Sequence, residues 1–207
     1  WFKEWLDKVG HDKATLLMHT DAEDPHGQPL PHLIEHLGIT DGQVLLSTNK
    51  VSPQELADYY NMADYTINIS DAEGFGLATL ESMMASVPII ASKTGGLTRQ
   101  VVNYKNKSSN GIALDIDLKT LVGSQAVPYI YEDYVTNKNV ANGIYKLFKL
   151  WSKRPQEYKR LKKKVLNYAR NEFSHQKTVD LWHDSMLKTI EDYRKNKEKK
   201  KWKIITY

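Results

Sequence analysis

The chain has 207 residues, 41% of them hydrophobic, which supports one sizeable core or one domain with an appendage and excludes a disordered chain. It contains no cysteine, which excludes disulfides and cysteine-based metal or nucleophile chemistry and fits a reducing cytoplasm. No run of about 18 apolar residues is present, so no membrane-spanning helix is expected, and the formal charge is +4.

The chain opens on Trp1-Phe-Lys-Glu-Trp5, which reads like the middle of an amphipathic helix rather than a secretory signal. Short apolar runs then alternate with helical stretches, the pattern of parallel strands joined by crossover helices. Strands are expected over 14–19, 44–47, 65–69 and 88–91, with a weaker one over 111–114. Helices are expected over 30–37, 53–61 and 76–85. Pro31 and Pro53 suit first-turn positions, where a missing N–H costs nothing. Ser52 and Glu55 form a capping-box pattern around Pro53. From residue 139 onward the text is mostly helical, over 139–151, 155–172 and 175–195.

His32-Leu-Ile-Glu-His36 matches a pattern in which two histidines one helical turn apart bind zinc. The stretch is short, opens at Pro31 and is fenced by Gly38, so a surface helix is expected, with Leu33, Ile34 and Leu37 against the sheet. No metal ligand is assigned. A dinucleotide fingerprint of the Gly-x-Gly-x-x-Gly kind does not follow the first expected strand.

The densest chemistry lies in Asp71-Ala-Glu-Gly-Phe-Gly-Leu-Ala-Thr-Leu-Glu81. Gly74 and Gly76 let the backbone turn sharply between the strand at 65–69 and the helix that follows. A helix starting at the carboxyl end of a strand points free N–H groups and a partial positive charge into the crevice, which favours phosphate. Glu73 stands at the mouth of the turn and Glu81 about one turn into the helix. Thr48, Asn49, Lys50 and Val51 follow another strand at its carboxyl end, where open α/β sheets bind ligands.

This run resembles the signature of the retaining glycosyltransferases of the GT-B group, family 4. The matching parts are Glu73 and Glu81 with seven residues between, the Glu-Gly-Phe-Gly turn, Val87-Pro-Ile-Ile-Ala-Ser92 and Gly95-Gly96. The helix of Ser52 to Asp64 and Tyr168-Ala-Arg-Asn-Glu-Phe-Ser174 are also similar to parts of that family. Ala78 stands where the family often has proline, and Arg99 where it often has glutamate. The resemblance implies a doubly wound, parallel, Rossmann-like sheet with helices on both faces and a helical carboxyl-terminal extension, one half of a GT-B enzyme. It implies domains at 1–138 and 139–207, the first lacking its opening strand and the basic pair that would contact donor phosphates.

In that family Glu73 would face the transferred sugar as the catalytic carboxylate, either stabilising positive charge at the anomeric carbon or acting as a nucleophile that forms a covalent intermediate; the resemblance favours same-face attack without one. Gly74, Phe75, Gly76 and Leu77 would offer backbone amides to the diphosphate, and Glu81 would hold the ribose hydroxyls. Asn49, Lys50 and Val51 would touch the nucleobase. The cosubstrate would be a UDP- or GDP-sugar, with no cofactor and no metal required. The acceptor would be a saccharide, lipid or protein, and a missing amino-terminal domain would supply most of its site. A nucleotide-sugar epimerase and a non-catalytic nucleotide-sugar-binding module are the alternatives.

Tyr129-Ile-Tyr-Glu-Asp-Tyr134 falls in an insertion between the last expected strand and the helical region. Tyrosines beside carboxylates suit sugar hydroxyls, and an edge segment packing on the domain is the plainer expectation. Residues 151–207 carry 17 Lys+Arg against 7 Asp+Glu, ending in Arg194-Lys-Asn-Lys-Glu-Lys-Lys-Lys-Trp-Lys. This reads as a solvated helix face or as a surface drawn to an anionic membrane. No nucleic-acid partner is expected. The location expected is cytoplasmic, peripheral at a membrane through that tail.

Overall fold

The computed structural model describes residues 1–25 and 27–196. In chain order the elements are α1 (Phe2–Val9), β1 (Leu16–His19), α2 (Leu30–His36), β2 (Val44–Ser47), α3 (Pro53–Met62), β3 (Thr66–Asn68), α4 (Leu77–Met84), β4 (Ile89–Ser92), α5 (Leu97–Val101), β5 (Gly111–Leu114), β6 (Leu118–Leu121), β7 (Tyr131–Tyr134), α6 (Asn137–Lys153), α7 (Pro155–Glu172) and α8 (His175–Asn196). Every strand and helix expected from the sequence is present, within two residues of its expected bounds. Leu97–Val101 and the pairing of Leu118–Leu121 with Tyr131–Tyr134 were not foreseen.

The first five strands are all parallel, joined by helical crossovers, and helices cover both faces. Every residue of β4 is buried: Ile90 faces one core with Trp5, Leu6, Val140, Ile144 and Leu147, while Ile89 and Ala91 face a second with Met83, Leu97, Val101 and Val165. The first layer is thus α1, α2 and α6, and the second is α4, α5 and α7. A strand buried on both faces reads as an unbroken apolar run, as Val87-Pro-Ile-Ile-Ala does. Helices α6 and α7 are built into these layers, and residue 139 falls inside α6.

The parallel ladder comes in two pieces. One is β1 paired with β2 in the register Leu16↔Val44, and the other is β3-β4-β5 in that order. The second edges of β1 and β3 have no partner strand among the described residues. Leu16 and Val44 nevertheless share the first core with Ile67 and Ile69, so one apolar interior spans both pieces.

Local chemistry explains the boundaries. The capping box at α3 forms as the sequence indicates: the Glu55 N–H donates to Ser52 Oγ at 3.3 Å, and the Ser52 N–H donates to Glu55 Oε2 at 2.8 Å. Ile34 of α2 and Leu37 at its carboxyl cap join the core but Leu33 is 42% exposed, so the expected apolar face is narrower by one residue. His32 and His36 are exposed, and no group of three His, Cys, Asp or Glu among the described residues is placed to hold a metal ion. Helix α8 buries no residue and carries four acids against four Lys and Arg, so its charge is balanced. The basic run from Lys197 onward lies outside the described residues. Among those described, no helix is long and apolar enough to cross a membrane.

Candidate functional site

The site is assembled where β3 and β4 end and α4 and α5 begin. Helix α4 hangs on β3 through side chains: Thr66 Oγ1 and Ser82 Oγ lie 2.7 Å apart, and Asn68 Nδ2 donates to Thr79 Oγ1 at 3.2 Å. Thr79, Ser82 and Met83 are therefore the buried face of α4. Leu80 and Met84 are partly buried, but Leu77 is 69% exposed. It sits at the first helical position, directly after the Gly76 cap.

The turn before α4 is locked from below by α5. Gly95 has φ +43°, and a Cβ there would lie 1.8 Å from the Glu73 carbonyl oxygen; one on Gly96 would lie 2.6 Å from the Gly74 oxygen and the Phe75 Cα. Two glycines are required because the two turns touch backbone to backbone, which the Gly96 N–H to Glu73 carbonyl bond at 3.1 Å completes. Gln100, fully buried, donates from Nε2 to the carbonyls of Phe75 and Gly76 at 2.6 and 3.1 Å. Sequence reasoning missed Gln100, since a polar residue one turn into a short helix carries no periodic signal. Gln100 thus holds both carbonyls of the turn from α5.

The turn's amides already hold an anion. Glu73 Oε1 accepts from the N–H of Phe75 at 3.3 Å and of Gly76 at 3.1 Å. The cradle expected to be open is filled by the catalytic candidate itself. Leu77, as first residue of α4, has no carbonyl four residues back within the helix to receive its N–H. Gly74 is exposed beside it. Glu81 is anchored from α3, with Tyr60 donating its hydroxyl to Oε2 at 2.9 Å. Burial first, and then this bond, push the Tyr60 hydroxyl's pKa far above its ordinary value, so it is a permanent donor to Glu81.

Thr48, Asn49, Lys50 and Val51 lie on the loop from β2 to α3, the first three exposed. No hydrogen bond joins them to Glu73 or Glu81; the link runs through α3 and Tyr60. Sequence reasoning also missed a polar cluster at the ends of β1 and β2. His19 Nδ1 lies 3.0 Å from Ser47 Oγ, which lies 3.2 Å from the Tyr59 hydroxyl.

The outer flank of the turn is aromatic and basic. Phe75 meets Phe173 edge-on at 6.0 Å, and Arg99 stacks 4.3 Å over the Tyr104 ring. Arg99 and Lys107, with Gly95, Thr98, Val102 and Tyr104, line a groove of about 280 Å³. Neither glutamate lines it, so it flanks the turn rather than forming the cradle.

Comparison with known proteins adds the following. The model of the family "Glycosyl transferases group 1" matches residues 12–117. A D-inositol 3-phosphate glycosyltransferase of Paenarthrobacter aurescens is 36% identical over 72 residues, covering 35% of this chain and 17% of the relative. The crystal structure of Anabaena HepE, in complex with UDP and glucose, superposes with a TM-score of 0.61 at 16% identity, over 91% of this chain and 44% of that one. The carboxyl-terminal domain of a group 1 glycosyl transferase family protein, LpcC from Francisella tularensis, superposes with a TM-score of 0.52 at 16% identity. That match covers 84% of this chain and 92% of the domain. The chain therefore spans less than half the length of the HepE chain and matches about a sixth of the curated relative.

Proposed function

Because the chain belongs to the group 1 glycosyl transferases, we propose that it forms the donor-binding half of an enzyme that transfers a sugar from a nucleotide diphosphate sugar to an acceptor with retained configuration. The observation that carries this reading is the Glu73 turn. Two backbone amides converge on one carboxylate oxygen at the start of α4, a ready-made place for a phosphate oxygen. A second carboxylate, Glu81, stands one helical turn away on a tyrosine tether.

In this reading an incoming diphosphate takes the amides of Phe75 and Gly76 from Glu73. The displaced carboxylate then turns to the sugar, accepts its hydroxyls and offsets positive charge as the anomeric carbon loses its bond to the diphosphate. The acceptor oxygen bonds to that carbon on the face the leaving group vacates, and its proton passes to the departing diphosphate oxygen. Glu81 takes the ribose hydroxyls with the lone pairs that Tyr60 leaves free, since a carboxylate offers about four acceptor sites. The loop of Asn49, Lys50 and Val51 faces the base. The chemistry asks for no cofactor and no metal from this chain, and UDP- or GDP-sugars are the expected donors.

The test is a melting-temperature series with UDP, GDP, ADP and their sugars. A ligand present at 100 times its Kd stabilises by about 2.7 kcal/mol, which is an unmistakable shift. No shift with any of them would overturn the donor site. Consumption of the donor without an acceptor by the whole enzyme would favour an epimerase instead.

A further inference from the structure

We infer that the β6–β7 hairpin carries a saccharide-binding face beside the transfer site, with Tyr131 as its ring platform and Asp133 and Lys119 as its hydroxyl-binding pair. The inference rests on the donor reading above for its role as an acceptor site. Its first support is placement. β5 is parallel to β3 and β4, so its carboxyl end at Leu114 lies on the edge where the Glu73 turn lies. The hairpin leaves from that end.

The hairpin is also fastened there. The Asp133 N–H donates to the Asp71 carbonyl at 2.8 Å, two residues before Glu73. At the hairpin's base the Asp117 carboxylate accepts from the Thr136 N–H at 2.8 Å, the Thr136 hydroxyl at 3.0 Å and Asn139 Nδ2 at 2.7 Å. These bonds tie the ribbon to the start of α6. At the tip the ladder continues, with the Val122 N–H donating to the Ile130 carbonyl at 2.8 Å and the Ser124 N–H to the Val127 carbonyl at 2.9 Å. Tyr129 adopts φ 61°, a left-handed turn position that the surrounding bonds must impose.

The register then decides the chemistry of each face. Lys119 stands opposite Asp133 and Leu121 opposite Tyr131 on one side; Leu118 with Tyr134 and Thr120 with Glu132 share the other. On the first side Lys119 Nζ lies 3.6 Å from Asp133 Oδ1 and 6.0 Å from the Tyr131 ring centre. Tyr131 is half exposed, at 51%. A pyranose has an apolar C–H face and a rim of hydroxyls. The ring receives the first, and a carboxylate acceptor beside an ammonium donor receives the second.

A membrane or an apolar protein partner fits this face less well. Its two charges cancel, which removes the pull towards anionic lipid, and burying the ion pair under apolar surface is costly. A two-stranded ribbon is marginal unaided, and this one leaves Leu121 and Tyr131 in solvent on this face as it leaves Leu118 and Tyr134 on the other; what distinguishes the first is the charged pair beside the ring.

Saturation-transfer NMR on the full chain, with and without UDP, tests this using methyl glucoside, methyl mannoside, methyl galactoside and maltose as probes. At least one probe should show transfer from tyrosine ring protons. Tyr131→Ala should lower it at least fivefold and Asp133→Asn about threefold, while Tyr134→Ala, on the opposite face, should leave it within twofold. All three variants should keep the parent's melting temperature and UDP response. No saccharide signal, an undiminished signal in Tyr131→Ala, or equal losses in Tyr131→Ala and Tyr134→Ala would overturn the inference. So would Tyr131-dependent sedimentation with phosphatidylserine vesicles in the absence of any saccharide signal. A Tyr131-dependent saccharide signal without any UDP response would sustain the face and sink the donor reading instead, so the two failures are separable.

Discussion

Glu73 and Glu81 are chemically alike and held in opposite ways. Glu73 is half-buried and bonded to amides of its own turn, so its partners are the very groups a phosphate would claim. Glu81 is exposed on α4 and bonded to a phenol from another helix. Their substitutions should therefore part company. Glu81→Ala should weaken UDP or GDP about tenfold, the loss expected of a hydrogen bond to a charged group. Glu73→Ala should keep or improve affinity for the free nucleotide, because the competing carboxylate is gone, while lowering affinity for the nucleotide sugar. Isothermal titration of both variants checks this, and equal effects on every ligand would misplace the pocket. Tyr60→Phe should cost roughly threefold to fivefold with ribonucleotides and little with 2′-deoxyribonucleotides, since it frees Glu81 to swing without removing it.

The turns obey tighter rules than the helices around them. Gly95 combines a positive φ with a carbonyl where a Cβ would sit, so Gly95→Ala should destabilise by about 3 kcal/mol, read from a urea unfolding curve. Gly38, also at positive φ but with open space around it, should lose less on the same change. At the base of the hairpin, bonds from the Thr136 backbone and hydroxyl hold the Asp117 carboxyl below the ordinary carboxylate range. A lowered folded-state pKa means that this stabilisation is full above the unfolded value, about 3.9, and is lost as pH falls through the folded one. Asp117→Asn should therefore melt lower at pH 7 and show a flatter fall in melting temperature between pH 5 and pH 3 than the parent.

Across the molecule, two buried clusters on either side of β4 carry the stability, and α8 adds no buried side chain to either. A chain ending at Ser174 should accordingly melt within about 2 °C of the full chain and retain its response to UDP. Trp5→Ala in the first cluster should cost about 3–5 kcal/mol, by contrast, because the ring is 1% exposed and leaves a large void.

Much of this was legible in the order of residues because it depends on near neighbours. Alternating apolar runs and helical stretches set the α/β class; Ser52, Pro53 and Glu55 set the start of α3; and Gly74 and Gly76 set a turn between strand and helix. The Glu73 to Glu81 spacing set both acids at that turn. What folding alone decided involves partners far apart in the chain. Tyr60 reaches Glu81 across 21 residues, Gln100 holds the Phe75 carbonyl across 25, and the Asp133 N–H finds Asp71. The occupied cradle also escaped the reading, since a free amide and one bonded to Glu73 look the same in sequence. So did the hairpin, whose tyrosines are placed by register and not by composition: a shift of one residue would move Tyr131 and Asp133 to the opposite face.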